Sequence, residues 1–559
     1  MFGFARIALA LAAASTCFAA SSPPLLGILA DELQRNFETL KTKGDPPPYF
    51  IAYSVVEQQA EVISGTLGAL QSRNRGHSRT LDVSVRVGSN KLDNYHATRG
   101  ERPQFSSPSL LPIEDEPDAI KRRLWLDTDR TYRVAAQRLI NLKTSTQLNV
   151  ADEDKSDDFS KAEPAVYSAE PRKIALDSKL WSERARQYSA VFKKYPRILN
   201  SNVGIRLVNE TKYLVNTEGT RLYHGRSFAR ITILAQSKAA DGMDLSTTDS
   251  FEAEDPGGLP KDAEIVKAIE RVAQDLTAML DAPVVDPFVG PAILSGKAAG
   301  VFFHEIFGHR IEGHRQKDET EDQTFTKRVG QPVLPSFLSV LFDPTRKNLA
   351  GVDLNGTYLY DDEGVKGRQV KVVDNGTLQT FLLSRSPIQN FPVSNGHGRK
   401  QAGLEAVSRQ SNLIVDSSRK LPEQKLRDML IEEIKKQGKP FGFYFRQVTG
   451  GYTTTGRTGF QSFKVLPLVV YRVYPDGRPD ELVRGADIVG TPLSSFARIL
   501  ATSDKLEVFN GYCGAESGSV PVAAVSPAIL VSELEIQKKE KGRDQPPLLP
   551  SPSVSEGSL

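Results

Sequence analysis

Two periods of apolar residues run through the first half of the chain. Residues 25–43 place Leu26, Ile28, Leu29, Leu33 and Phe37 on one face of an amphipathic helix, which Pro46-Pro47-Pro48 brings to an end. Residues 49–70 and 79–87 alternate instead, with Leu81, Val83, Val85 and Val87 on one side, and predict strands. Helical spacing returns at 115–142 and 182–194. It is clearest at 265–280, where Ile269, Val272 and Leu276 share a face. Short strands are predicted at 201–208, 212–216 and 228–235, with Asn216-Thr217-Glu218-Gly219-Thr220 as a hairpin turn. The acidic stretch 143–170 reads as a loop or crossover. No internal repeat is visible.

Residues 281–287, punctuated by Pro283 and Pro287, mark a boundary. Beyond them come a short strand at 290–294, an apolar helix, and a strand-rich region from Tyr358 onward. Asp374-Asn375-Gly376 between 370–373 and 378–382 predicts a tight hairpin. One amphipathic helix is predicted at 421–437. From Gln537 the chain turns to Lys, Pro, Ser and Gly, a composition that cannot bury apolar surface. The expected fold class is α+β in two domains. An α/β-mixed N-terminal domain spans 21–285, a strand-rich C-terminal domain carrying a metal-binding helix spans 286–536, and 537–559 is a disordered tail.

Length and composition narrow the function classes. The chain has 559 residues, 39% hydrophobic and 25% charged, which suits a globular protein of two or three domains. A net charge of +3, without a basic stripe, gives no footprint for nucleic acid. Residues 1–20 combine Arg6, an apolar core at 7–14 and small residues at Cys17-Phe18-Ala19. That is the pattern of a signal peptide cleaved near Ala19 or Ala20, and the apolar run is too short to span a bilayer. The expected location is therefore periplasmic or extracellular, with no stable membrane span. Cys17 as a lipid attachment point is the weaker alternative, because Ala14-Ser15-Thr16 lacks a large apolar residue. Cleavage leaves a single cysteine, Cys513, which cannot form an internal disulfide.

The candidate chemistry lies at 301–314, V-F-F-H-E-I-F-G-H-R-I-E-G-H. His304 and His309 flank Glu305 in the spacing H-E-x-x-x-H, one residue longer than the familiar zinc-peptidase motif. In a straight helix, residues five apart point about 140° away from each other. Either a π-type bulge or a helix ending near Gly308 must swing His309 back, glycine makes that adjustment easy, and the expectation is a local bulge at Phe307-Gly308. A catalytic zinc keeps three protein ligands and one open position. The third ligand could be Glu312, His314, Asp318 or Cys513.

The helix resembles that of the TldD/PmbA family of metallopeptidases, whose active members carry H-E-x-x-x-H with glycine before the second histidine. The resemblance continues through Asp361-Asp362-Glu363-Gly364, Ser394-Asn395-Gly396-His397-Gly398, Gly450-Gly451 and Gly485-Ala486-Asp487-Ile488-Val489-Gly490. It ends at Cys513-Gly514-Ala515-Glu516-Ser517-Gly518-Ser519-Val520-Pro521-Val522. It implies one Zn2+ per chain held by His304, His309 and Cys513. Glu305 then serves as general base toward a metal-activated water, and the substrates are unfolded or extended peptides. A lone thiol in an exported protein agrees, since it oxidises unless buried or metal-bound. The resemblance also implies a dimer, either with itself or with a related subunit that has lost the motif. The export pattern departs from the best-known cytoplasmic members. His314, His397 and the Gly450-Gly451 pair are candidate substrate contacts; His314 could instead be a partner behind the metal ligands or a solvated loop residue, His397 a loop residue off the cleft, and the glycines a tight turn. The competing reading of the whole is an exported peptide-binding or scaffold protein with a structural metal.

Overall fold

The computed structural model describes residues 23–97, 108–144, 154–174, 177–318, 321, 323–456, 463–490 and 492–540, with 546–547, 549 and 552 beyond. The proposed signal peptide, Cys17 and most of the proposed tail lie outside these residues. The fold is mixed α/β and strand-rich, with 42% strand and 26% helix.

Two large sheets, each from its own half of the chain, organise the molecule. The first has Pro48–Thr66 at its centre, between Ala69–Val87 and Asn200–Asn216, and continues through Arg221–Lys238. Two helical pairs cover it. Pro24–Lys43 and Pro117–Thr144 bury Ile51, Tyr53 and Val83; Ser178–Ala190 and Asp262–Asp281 bury Ile63, Val203 and Ile231. The strands run longer than their apolar patterns predict. Residues 72–78 are polar and mostly exposed, yet they stay in register with 58–64 because the ladder, not burial, holds them. The strand Asp244–Ala253 went unrecognised for a similar reason: its polar residues pair along Arg221–Lys238.

The second sheet is built around the 21-residue strand Gly518–Lys538, which pairs with Asn412–Ser417, Ala486–Gly490, Ile499–Ala515 and Phe288–Leu294. This strand carries Gln537 and Lys538 inside the sheet, opposite Asp487 and Ala486. The Asp374-Asn375-Gly376 turn is present, with Asn375 and Gly376 both in the left-handed region at φ 46° and 81°. Its second strand is only Thr377–Leu378, shorter than predicted.

A helix, Gly296–Ile306, lies on this sheet. Ser295 caps it by accepting from the Ala298 N–H. A Cβ on Gly300 would sit 3.0 Å from the Ala524 carbonyl, so the small residue sets how closely helix and strand approach. Phe302 and Phe303 fill the space above, in edge and stacked contacts with Phe463 and Phe496. Among the described residues, no helix is long and apolar enough to cross a membrane.

Candidate metal centre

The helix that carries His304 and Glu305 stops at Ile306, and Gly308–Ile311 form one 3₁₀ turn. Of the two solutions to the five-residue spacing, the chain uses the second. There is no π-type bulge at Phe307-Gly308. The helix ends, and the tighter turn brings His309 beside His304, their ring centroids 5.1 Å apart and nearly perpendicular. Gly308 is required for a packing reason. A Cβ there would collide with the side-chain amide of Gln410, which itself donates to the His304 carbonyl at 3.2 Å.

Cys513 reaches the same point from the second sheet, close to the tight turn joining Ile499–Ala515 to Gly518–Lys538. Its Sγ lies 3.4 Å from His309 Nε2. The ligand atoms of His304, His309 and Cys513 all fall within 4.8 Å of one another, and all three residues are buried. A tetrahedral zinc with ordinary Zn–N and Zn–S bonds places such atoms about 3.3–3.6 Å apart. The donor set therefore fits zinc with a contraction of about 1.5 Å at most.

The charges around this group are mutually dependent. Burial opposes ionisation of the Cys513 thiol, but the His309 and His304 imidazoles outweigh it and hold the thiol well below its ordinary range. Burial likewise opposes a charged His309, while Cys513 and Glu312 raise it well above the usual imidazole value. Both shifts run in the direction that favours a thiolate beside an imidazolium. Glu305 is raised, mainly by burial, and its Oε2 stands 3.9 Å from His309 Nε2.

Of the other candidate ligands, Glu312 sits behind the site. Its Oε2 lies 3.3 Å from His309 Nδ1, which leaves Nε2 as the nitrogen facing Cys513. His309, Arg315 and Arg409 offset the burial of Glu312 and lower its carboxyl to about 2. Asp318 ends the short helix Gly313–Lys317 and is not part of the ligand group. His314 lies on that helix as well. It is joined to Glu516, three residues past Cys513, so it belongs to a polar network beside the ligands and not to a solvated loop. Arg315 extends this network to Glu312, Glu321, Thr455 and Glu516.

His397 is placed differently from the expectation. Its ring is fully buried between Phe342 and Tyr358, bonded to Asn395 and Ser411, and burial lowers it to about 3. It is a neutral core histidine and presents no surface to a substrate. Gly450 and Gly451 lie within the strand Gly442–Thr453, not in a tight turn. A Cβ on Gly451 would meet Glu305 Cγ at 2.6 Å and the Lys464 carbonyl at 2.9 Å. The glycine makes room for the Glu305 carboxylate against the strand. Gly450 faces open space. On its second edge this strand pairs with Phe288–Leu294 only through Phe443–Phe445.

Sequence reasoning missed Arg310, Arg409 and Gln410. Arg310 is fully buried and donates to the Glu305 and Ile306 carbonyls, closing the helix end, and to Thr453 on the neighbouring strand. The available sign was the polar run Ser408-Arg409-Gln410-Ser411-Asn412, which leads into the strand Asn412–Ser417 and is buried at all five positions.

Two buried imidazoles, a thiolate and an adjacent carboxylate define a candidate centre of the hydrolytic metal type. Comparison with known proteins points the same way. Residues 289–538 match the PmbA/TldA metallopeptidase C-terminal domain. A metalloprotease of Methanocaldococcus jannaschii is 29% identical over 231 residues, 41% of this chain and 47% of that protein. A zinc metalloprotease TldD homolog of Saccharolobus solfataricus is 26% identical over 251 residues, 44% of this chain and 51% of that protein. The chain thus spans about half the length of these curated relatives. TldE from Thermococcus kodakarensis shares the fold at 13% identity, with a TM-score of 0.60, covering 90% of this chain and 100% of that one. Together the matches support the TldD/PmbA family of metallopeptidases for this chain.

Proposed function

We propose that the protein is an exported, zinc-dependent peptidase that hydrolyses unfolded or extended peptides. The observation that carries this reading is the convergence of the His304, His309 and Cys513 ligand atoms within 4.8 Å, with Glu305 beside them. A structural zinc site is closed and has no use for a buried base next to its ligands. One zinc ion held there supplies a Lewis acid that acidifies water and polarises a carbonyl.

The chain's own groups do the rest. Glu305, raised by burial above the ordinary carboxylate value, takes a proton from the attacking water and returns it to the leaving amine. Glu312 holds the Nδ1 proton of His309, and Arg310 fixes the helix end that aims Glu305. The substrate lies extended along Gly442–Thr453 past Phe445, where that edge has no strand partner among the described residues before the single bridge of Gly456 to Glu321. Backbone pairing of this kind selects for unfolded chain over particular side chains.

Export follows from the leader pattern at 1–20, and a related subunit, or a second copy, completes a dimer around the site. The test is hydrolysis of an unstructured peptide by zinc-loaded protein, beside chelated protein and Glu305→Gln. Cleavage by the loaded wild type alone supports the reading. Equal rates for the wild type and Glu305→Gln, both holding metal, would leave a structural zinc as the better account.

A further inference from the structure

One dipeptide, Arg409-Gln410, touches all three ligand-bearing segments. Gln410 donates to the His304 carbonyl and fills the space against Gly308, the residue before His309. Arg409, with no exposed surface, spreads its guanidinium over the other two. Nη2 donates to the Cys513 carbonyl at 2.6 Å. Nη1 donates to Ser517 Oγ at 2.7 Å and to the Gly518 carbonyl at 2.9 Å, on the turn that follows Cys513. Nε faces Glu312 Oε1 at 3.5 Å, and the other oxygen of Glu312 lies on His309 Nδ1. A continuous line of buried polar contacts therefore runs from one ligand, Cys513, through Arg409 and Glu312 to another, His309.

A buried guanidinium is costly unless its donors are met. Here they are met mostly by the backbone and hydroxyl of the Cys513 turn, which ties the turn to a fixed point. A lysine would keep the charge but not the planar fork that reaches Cys513, Ser517 and Glu312 together.

We propose that Arg409 is a positioning residue for the metal: acting through Glu312 and the Cys513 turn, it holds the His309 and Cys513 ligand atoms at the spacing zinc requires. The inference rests on the zinc reading above and concerns affinity, not turnover.

The test is a competition titration of zinc against a chromophoric chelator for full-length wild type, Arg409→Lys, Arg409→Gln and Glu312→Gln. Melting temperatures report whether each variant is folded, and cobalt-substituted samples report thiolate ligation through the thiolate-to-metal absorption band. Both Arg409 variants should bind zinc about 10–100-fold more weakly than wild type, with a diminished thiolate band. Affinity within about two-fold of wild type for Arg409→Gln would overturn the proposal, and so would full rescue by Arg409→Lys, because charge alone would then suffice. If neither Arg409 variant folds, Glu312→Gln decides. It should lose affinity by the same factor, and an unchanged constant overturns the proposal. Wild type that binds no zinc removes both the site reading and this inference; zinc-binding wild type with unchanged variants removes only the inference.

Discussion

Cys513 Sγ stands 3.4 Å from His309 Nε2 across a sequence separation of 204 residues. One belongs to a sheet hairpin and the other to the turn that ends a helix, so a metal held between them would tie these elements together. Zinc should therefore raise the melting temperature of wild type. At a free concentration 100-fold above Kd the gain is about 2.7 kcal/mol. Cys513→Ala should lose most bound zinc and show no such shift. Stoichiometric zinc in that variant would move the third ligand elsewhere.

The pH dependence of zinc binding follows from His309. Its folded-state value lies well above the ordinary 6.5, so in metal-free protein the ring stays protonated through neutral pH, while the lowered Cys513 is already thiolate. Zinc must displace the His309 proton. Binding should release about one proton per ion, and affinity should weaken as pH falls. Calorimetry in buffers of different ionisation enthalpy measures this directly, and no proton release would contradict the charge assignment.

Glu305 carries the second pH prediction. Burial raises its carboxyl above the ordinary 4.5, and a general base works only when ionised. The acid limb of kcat/KM should thus turn over above pH 4.5. Glu305→Gln should keep its zinc and lose about 10²–10⁴ in kcat.

Gly451 separates the base from the ligands. A methyl group there would intrude on Glu305 Cγ at 2.6 Å and on the Lys464 carbonyl. Gly451→Ala should retain zinc, because the atoms nearest the added methyl belong to Glu305 and Lys464 and not to a ligand, and yet lose activity by displacing the carboxylate. Loss of zinc together with activity would mean that the strand itself had shifted.

Gly308→Ala tests the turn that places His309. The added methyl collides with the Gln410 amide, and overpacking of this kind costs about 1–3 kcal/mol. Gln410→Ala should relieve part of that cost, so the double variant should be more stable than the sum of the two single changes. Strict additivity in chemical denaturation would show that the two side chains do not compete for space.

What could be read from the sequence was what repeats locally or carries unusual chemistry. His304, Glu305 and His309 stood out by spacing, and Cys513 by being the one thiol left after cleavage and by the block around it. The helices emerged because their apolar faces recur at a fixed period. Strand ends did not, since residues such as Arg73 and Asn74 remain in a sheet through backbone pairing alone. Arg409 and Gln410 escaped notice because their partners lie about 100 residues away and are largely backbone carbonyls, which leave no trace in residue type. His397 misled for the opposite reason: a histidine in a glycine-rich loop looks accessible until Phe342 and Tyr358 close over it.

The most direct test of the metal centre is X-ray absorption at the zinc edge of the loaded protein. A site formed by His304, His309 and Cys513 predicts one sulfur scatterer at about 2.3 Å and nitrogen or oxygen scatterers at about 2.0–2.1 Å, with the sulfur lost in Cys513→Ala. A zinc edge with no sulfur in the wild type would contradict the account.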